Sequence, residues 1–252
     1  MKKFSKYVLL ALLLVLAGCG GAAPQASQAS PTSVKKSTPT PVPLKGNKVQ
    51  FKTSDNMALE GTLYGQGKKA VICSNMIDGG EQDWEPLVRH LLSKNYMVLT
   101  YNYRSYRGFG DPALAQTPLD LEGAVSYVRG QGATTIILVG ASMGGTVTAA
   151  VAAHTQDHIA ALVALSGPLS VGALQVSDKE LKAITAPGLF VNSNGDDYVE
   201  DTAHMFVMLT ASKNIYLYPG GAHGTAIFDE YSKDLCERIS DFFEQQITGL
   251  TA

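Results

Sequence analysis

Short apolar runs alternate with longer helical segments from Lys48 onward, and this alternation limits the possible folds more than any other feature of the chain. Most of the runs are apolar at consecutive positions and are bounded by glycine, serine or asparagine. Such runs are typical of parallel strands that are buried on both faces between helices. The runs are residues 70–74, 97–101, 135–140, 161–166, 189–192 and 215–218. The alternation predicts one doubly wound α/β domain with a mostly parallel sheet.

The segments between these runs carry helix signals, among them Pro118 at a first-turn position. The predicted helices are residues 84–93, 119–129, 143–154, 178–183, 201–212 and 227–247. Upstream, residues 49–53 and 57–64 flank the turn-rich triplet Ser54-Asp55-Asn56, which predicts an N-terminal antiparallel hairpin. We therefore expect an eight-stranded sheet within a domain of residues 47–252.

Residues 1–18 have the pattern of an export signal. Three lysines precede an apolar run at 7–17, which is shorter than the roughly 20 residues that a membrane-spanning helix needs. The tetrapeptide that ends in Gly18-Cys19 resembles the bacterial lipobox. The resemblance implies cleavage before Cys19, acylation of its thiol, and anchoring by lipid to a membrane face outside the cytoplasm, on the extracellular or periplasmic side. An ordinary secretory signal with a chance cysteine is the alternative.

Residues 19–46 join this cysteine to the predicted domain. After Cys19 they are rich in Ala, Ser, Thr, Gln and Pro and contain no acidic residue. Such a segment cannot bury enough apolar surface to offset its ordering entropy, and its prolines favour extended conformations. The composition therefore predicts a tether.

The charged residues, cysteines and histidines bear on whether the chain binds nucleic acid, forms a disulfide or holds a metal. Only 17% of the 252 residues are charged and the formal net charge is −2, which argues against a nucleic-acid-binding surface. Cys73 and Cys236 fall in a predicted strand and a predicted helix, so we expect buried thiols, although the sequence leaves a bridge open. The histidines lack metal-motif spacing. We expect no metal, no cofactor and no nucleic-acid partner.

A serine stands where one predicted strand turns into a helix, in Gly140-Ala-Ser142-Met-Gly144. An abrupt strand-to-helix turn strains its corner residue and needs small neighbours, which Gly140 and Gly144 supply. The helix that follows directs its N-terminus toward the serine and favours negative charge that develops there. A dinucleotide fingerprint would need glycine at position 142, and a phosphate loop would need Gly-Lys-Ser or Gly-Lys-Thr. The pattern predicts Ser142 as a nucleophile.

A nucleophilic serine needs a histidine base and a carboxylate that orients the histidine. His223 alone among the five histidines lies in a loop directly after a late apolar run, where ligand sites of open α/β sheets occur. Asp196 and Asp197 follow the preceding run. Both aspartates remain candidates on position alone.

The order Ser142, aspartate, His223 and the elbow motif resemble the α/β-hydrolase superfamily over the whole predicted domain. The family often has its acid three residues before a valine, which here selects Asp196. The resemblance also implies two oxyanion-hole amides, from Met143 and from Ile77. Ile77 stands in Ser74-Asn75-Met76-Ile77, where the family often reads His-Gly.

Three smaller expectations accompany the resemblance. Trp84 is expected to pack at the start of a helix. Residues 101–110 resemble the family's Arg-Gly-x-Gly loop after the fourth strand, and we expect a structural role for this loop, although its tyrosines could line a substrate cleft. Residues 167–187 leave room for a turn and a short helix, so we expect no substantial lid. A chain with such an open cleft resembles the dienelactone-hydrolase-like and small esterase branch of the family. Dienelactone hydrolases themselves use cysteine as the nucleophile, whereas this chain has serine.

The leading functional hypothesis is a serine hydrolase that cleaves small-molecule or polymer-derived carboxylic esters through an acyl-enzyme. A peptidase, thioesterase or acyltransferase with the same triad is the first alternative. A non-catalytic envelope-binding lipoprotein on a hydrolase fold is the second.

Overall fold

The computed structural model describes residues 42–104 and 111–249. Cys19, the signal and nearly all of the tether lie outside the described residues. The strands are β1 (Asn47–Lys52), β2 (Ala58–Tyr64), β3 (Lys69–Ser74), β4 (Met97–Tyr101), β5 (Thr135–Ala141), β6 (Ile159–Leu165), β7 (Ser170–Val171), β8 (Leu174–Gln175), β9 (Gly188–Ser193) and β10 (Lys213–Tyr218). The helices are α1 (Glu85–Leu92), α2 (Asp111–Leu114), α3 (Thr117–Gly130), α4 (Met143–His154), α5 (Asp178–Ala183), α6 (Val199–Met208) and α7 (Ile227–Gly249), and short 3₁₀ turns precede α1 and α7.

Eight strands form one sheet in the order β1-β2-β4-β3-β5-β6-β9-β10. β1 pairs antiparallel with β2, and β2 pairs antiparallel with β4. The other five pairings are parallel. This topology confirms the predicted fold class, including the N-terminal hairpin, whose turn contains Asn56 in the left-handed region at φ 66°.

The central strands are buried along nearly their whole length, because helices cover both faces of the sheet. In β3, Ile72 packs into the apolar cluster on one face, whereas Val71 and Cys73 pack into the cluster on the other. This two-residue alternation explains why the strands read as continuous apolar runs. Cys73 and Cys236 are both buried free thiols, and burial raises the pKa of Cys236 to about 12.

Two segments differ in detail from the sequence prediction. The helix expected at 201–212 is α6, which begins and ends earlier. The Lys213 ammonium group caps its C-terminal end by donating to the carbonyl oxygens of Val207 (3.0 Å) and Leu209 (2.6 Å). Residues 167–187 contain the two-stranded β7–β8 hairpin as well as α5. Both of these elements lie against α4.

The loops after β5, β9 and β10 leave the sheet at the carboxyl ends of parallel strands. Because β9 and β10 are neighbours, the loops that carry Asp196 and His223 start side by side. Within the described residues, no helix combines the length and the apolar character needed to span a membrane.

Candidate active site

Ser142 occupies the sharp turn between β5 and α4 with φ 51° and ψ −121°. A Cβ atom on Gly140 would lie 2.0 Å from the carbonyl oxygen of Gly144, and one on Gly144 would lie 2.0 Å from that of Ser74. Both positions therefore need glycine for reasons of space. The Ser142 amide donates to the Leu165 carbonyl at 2.8 Å, which ties the turn to the end of β6.

His223 lies in the loop between β10 and α7 and contacts the predicted acid. Its Nδ1 is 2.6 Å from Oδ2 of Asp196. The other carboxylate oxygen of Asp196 accepts the Tyr198 amide at 2.7 Å. Because a carboxylate only accepts hydrogen bonds, Nδ1 carries the proton, and Nε2 is left as the basic nitrogen of the neutral ring.

Backbone hydrogen bonds hold the acid loop to the histidine loop. The Asn194 amide donates to the Tyr218 carbonyl at 2.8 Å, and the Gly195 amide donates to the Gly220 carbonyl at 2.9 Å. Gly220 adopts φ 98°, a conformation that favours glycine. The Asp196 side chain is only 1% exposed in this arrangement, whereas Asp197 is exposed to solvent.

The histidine loop also lies against the serine turn. A Cβ atom on Gly224, the residue after His223, would be 3.5 Å from the Cβ of Ala141, the residue before Ser142. The structure thus brings the loops of Ser142, Asp196 and His223 together at one edge of the sheet. An open cavity of about 310 Å³ borders His223 and Tyr198, whose rings are 5.3 Å apart, so solvent reaches the imidazole.

The two predicted oxyanion-hole residues belong to different segments. Met143 is the first residue of α4, so its amide has no acceptor within the helix. Ile77 lies in the turn after β3, where the Gly79 amide donates to the Met76 carbonyl at 3.2 Å. The close approach of Gly144 to Ser74 places this loop on the start of α4.

Asn75 fixes the loop that lacks the family's His-Gly. Its Nδ2 donates to the Tyr101 carbonyl at 2.8 Å, and its Oδ1 accepts the indole N–H of Trp84 at 2.8 Å. Both side chains are buried. Trp84 packs in the core at the start of α1, as expected. Its buried indole N–H also needs an acceptor, and Asn75 provides it.

Comparisons with known proteins agree with this architecture. A model of the "Alpha/beta hydrolase family" matches residues 79–232, which is more than half of the chain. The chain belongs to the alpha/beta hydrolase family. A search of curated proteins found no match to the sequence.

Among solved structures, this hydrolase is similar to the esterase Pf2001 of Pyrococcus furiosus, with 17% identity, a TM-score of 0.71, and coverage of 80% of this chain and 93% of that chain. It is also similar to Est1E of Butyrivibrio proteoclasticus, with 17% identity, a TM-score of 0.66, and coverage of 81% and 100%. A hydrolase of Pseudomonas aeruginosa PA01 has 15% identity, a TM-score of 0.66, and coverage of 78% and 98%. At identities this low, the structural similarity shows a shared fold and nothing more specific.

One further residue of the hydrolase touches the site without a signal in the sequence. The Met76 sulfur would lie 2.5 Å from a Cβ atom on Gly224 and accepts a hydrogen bond from the Thr225 hydroxyl at 3.7 Å. Met76 therefore packs the loop after β3 against the histidine loop. No group of three metal-ligating side chains capable of holding an ion occurs in the described part of the hydrolase.

Proposed function

We propose that this protein is a serine hydrolase that cleaves carboxylic esters through an acyl-enzyme formed on Ser142. The observation that carries the proposal is the contact between His223 and the buried Asp196. The loop that carries this histidine lies next to the strained turn at Ser142. The strain is consistent with a functional corner residue, since such conformations persist where the surrounding structure imposes them.

The proposed reaction has two halves. Nε2 of His223 takes the proton of Ser142 as Oγ attacks the ester carbonyl, and the tetrahedral oxyanion accepts hydrogen bonds from the amides of Met143 and Ile77. The C–O bond then breaks, and the imidazolium returns the proton to the departing alcohol. Water, deprotonated by the same nitrogen, attacks the acyl carbonyl, and Ser142 leaves with the proton as the acid is released.

Asp196 acts on the histidine and not on the substrate. Because one oxygen is held by the Tyr198 amide, the other stays directed at Nδ1 of His223. This fixes the tautomer and stabilises the imidazolium in both halves of the reaction. The first turn of α4 adds a favourable dipole at the oxyanion position.

The substrate class is proposed as small or polymer-derived esters. The opening beside His223 supports access for an alcohol group that leaves with the histidine's proton. The similar protein Pf2001 is named an esterase, and one structure of Est1E contains ferulic acid. We therefore include a feruloyl ester beside short acyl esters in the test. The lack of a large insertion in residues 167–187 supports the dienelactone-hydrolase-like and small esterase branch.

The test compares p-nitrophenyl acetate, methyl ferulate, the matching acetyl thioester and the acetyl anilide in the wild type, Ser142→Ala and His223→Ala. We expect ester turnover that both substitutions reduce by about 10³-fold or more. A preference for the anilide or the thioester would replace the ester proposal with a peptidase or thioesterase. If no substrate shows Ser142-dependent turnover, the result would favour the alternative of a non-catalytic envelope-binding lipoprotein.

We also propose that residues 1–18 are a signal peptide and that lipid on Cys19 anchors the hydrolase outside the cytoplasm through the 19–46 tether. The lipobox-like tetrapeptide supports this proposal. The full chain is expressed in a bacterium fed an alkyne-labelled palmitate, with Cys19→Ser as the variant and Cys73→Ser as its control. Label in the wild type and control, lost only in Cys19→Ser, is expected. Equal labelling of all three would contradict lipidation at Cys19.

A further inference from the structure

Ser166 is a buried serine in an unfavourable backbone conformation beside the candidate site. It directly follows β6 with φ 50°, in the left-handed region that favours glycine. Its neighbour Leu165 accepts the Ser142 amide, and its own amide donates to the Val191 carbonyl at 2.8 Å. A glycine would adopt this conformation with less strain, so the presence of a hydroxyl at this position calls for a physical reason.

The hydroxyl of Ser166 links the histidine loop to β9. It accepts the amide of Gly224, the residue after His223, at 2.9 Å. It donates in turn to Oδ1 of Asn192 at 2.6 Å. The Ser193 amide also donates to Oδ1, at 2.7 Å, which identifies that atom as the oxygen.

The same asparagine continues the network to the acid loop. Its Nδ2 donates to the Thr202 hydroxyl at 2.9 Å, and that hydroxyl donates to the Tyr198 carbonyl at 3.1 Å. Tyr198 is the residue whose amide holds Asp196. Ser166, Asn192 and Thr202 are all 0% exposed, so no water competes for these bonds, and each unmade bond would leave a buried polar group.

We propose that Ser166 is a positioning residue that sets the imidazole of His223 relative to Asp196 through the Gly224 amide and Asn192. The proposal rests on the proposed serine hydrolase function. Hydrogen bonds run without a break from the residue after His223 to the residue that holds Asp196. Loss of the hydroxyl frees the Gly224 end of this chain, and a displacement of about 1 Å at a catalytic group is enough to cost about 100-fold in rate.

The test uses two substitutions that remove the same hydroxyl but differ in backbone strain. Ser166→Ala keeps the strain of the left-handed conformation, and Ser166→Gly relieves it. Thr148→Val is the control, because it removes a buried hydroxyl that has no hydrogen-bond partner within residues 42–104 and 111–249. The measurements are kcat and KM for p-nitrophenyl acetate, the second-order rate of fluorophosphonate inactivation, and Tm, with all kinetics taken well below the lowest Tm.

We expect kcat and the inactivation rate to fall about 10-fold to 100-fold in both Ser166 variants, with KM within about threefold of wild type. The losses should be equal even though the two Tm values differ, and Thr148→Val should keep the wild-type rates. Losses that follow Tm, or wild-type kcat in Ser166→Gly, would overturn the positioning role while the wild-type activity still supports the hydrolase. If the wild type lacks Ser142-dependent turnover, the proposed function fails, and with it the positioning role.

Discussion

At the scale of single residues, Asp196 and Asp197 are adjacent in the chain but differ in environment. The Asp196 side chain is 1% exposed and contacts the histidine, whereas Asp197 is exposed to solvent. The position of the two residues after a predicted strand could not separate them, because a strand end directs neighbouring side chains in different directions. Only the family resemblance selected Asp196.

We predict that the same substitution has different effects at the two aspartates. Asp196→Asn should reduce kcat for p-nitrophenyl acetate by about 10³-fold to 10⁴-fold, because the amide no longer enforces the required tautomer of His223. Asp197→Asn removes the same charge from the next residue and should leave kcat within about threefold. Steady-state kinetics of the two variants decides this. Equal losses, or a larger loss in Asp197→Asn, would contradict the assignment.

At the scale of elements, the loop after β3 packs against the start of α4, and these two segments carry the proposed oxyanion amides. Gly144 is the point of contact, since a Cβ atom there would meet the backbone oxygens of Ser74 at 2.0 Å and Asn75 at 2.8 Å. Backbone oxygens cannot rotate away as a side chain would. The start of α4 and the Met76–Ile77 turn must therefore separate if position 144 carries a side chain.

We predict that Gly144→Ala lowers the free energy of unfolding by about 1–3 kcal/mol and also lowers kcat, because the oxyanion loop is displaced. Gly130→Ala at the end of α3 is the matched control, since a Cβ atom there meets nothing within 4 Å. It should stabilise the fold by about 0.4–1 kcal/mol through the unfolded chain. Urea unfolding and ester kinetics on both variants provide the measurement, and normal turnover in Gly144→Ala would contradict the proposed loop contact.

Sequence patterns predicted the elements that depend on local signals. The central strands and α4 followed from continuous apolar runs and from the glycine-flanked turn at Ser142. The end of α6 did not, because Lys213 caps it from a later strand. The hydrogen bond between Trp84 and Asn75 and the left-handed conformation of Ser166 likewise depend on tertiary contacts. Periodicity carries no information about such contacts.

At the scale of the whole molecule, Arg104 connects parts that are distant in sequence. It follows β4, and its guanidinium lies 2.7 Å from Asp120 in α3 and 2.6 Å from Asp55 in the first hairpin turn. The Arg104 and Asp120 side chains are 4% and 0% exposed. Burial raises the pKa of Asp120 against the opposing effect of Arg104, and a hydrogen bond from Arg104 lowers that of the exposed Asp55.

We predict that Arg104→Met lowers the free energy of unfolding by about 3–5 kcal/mol, because it leaves the Asp120 carboxyl buried without its cation. Arg89→Met breaks a half-exposed pair with Glu85 within α1 and should cost less than about 1 kcal/mol. Chemical unfolding at neutral pH measures both. A cost for Arg104→Met no larger than that of the control would show that the buried ion pair does not hold α3 to the hairpin.

Covalent labelling with a fluorophosphonate tests the proposed nucleophile and base most directly. It shows which residue reacts and whether the reaction requires His223. The probe is added to the folded protein and to the same protein in denaturant, and the adduct is located by peptide mass spectrometry. We predict a single adduct on Ser142 in the folded wild type, with rates reduced by about 10³-fold in His223→Ala and in denaturant. An adduct on another residue, or equal labelling of Ser142 with and without His223, would contradict the proposed nucleophile and base.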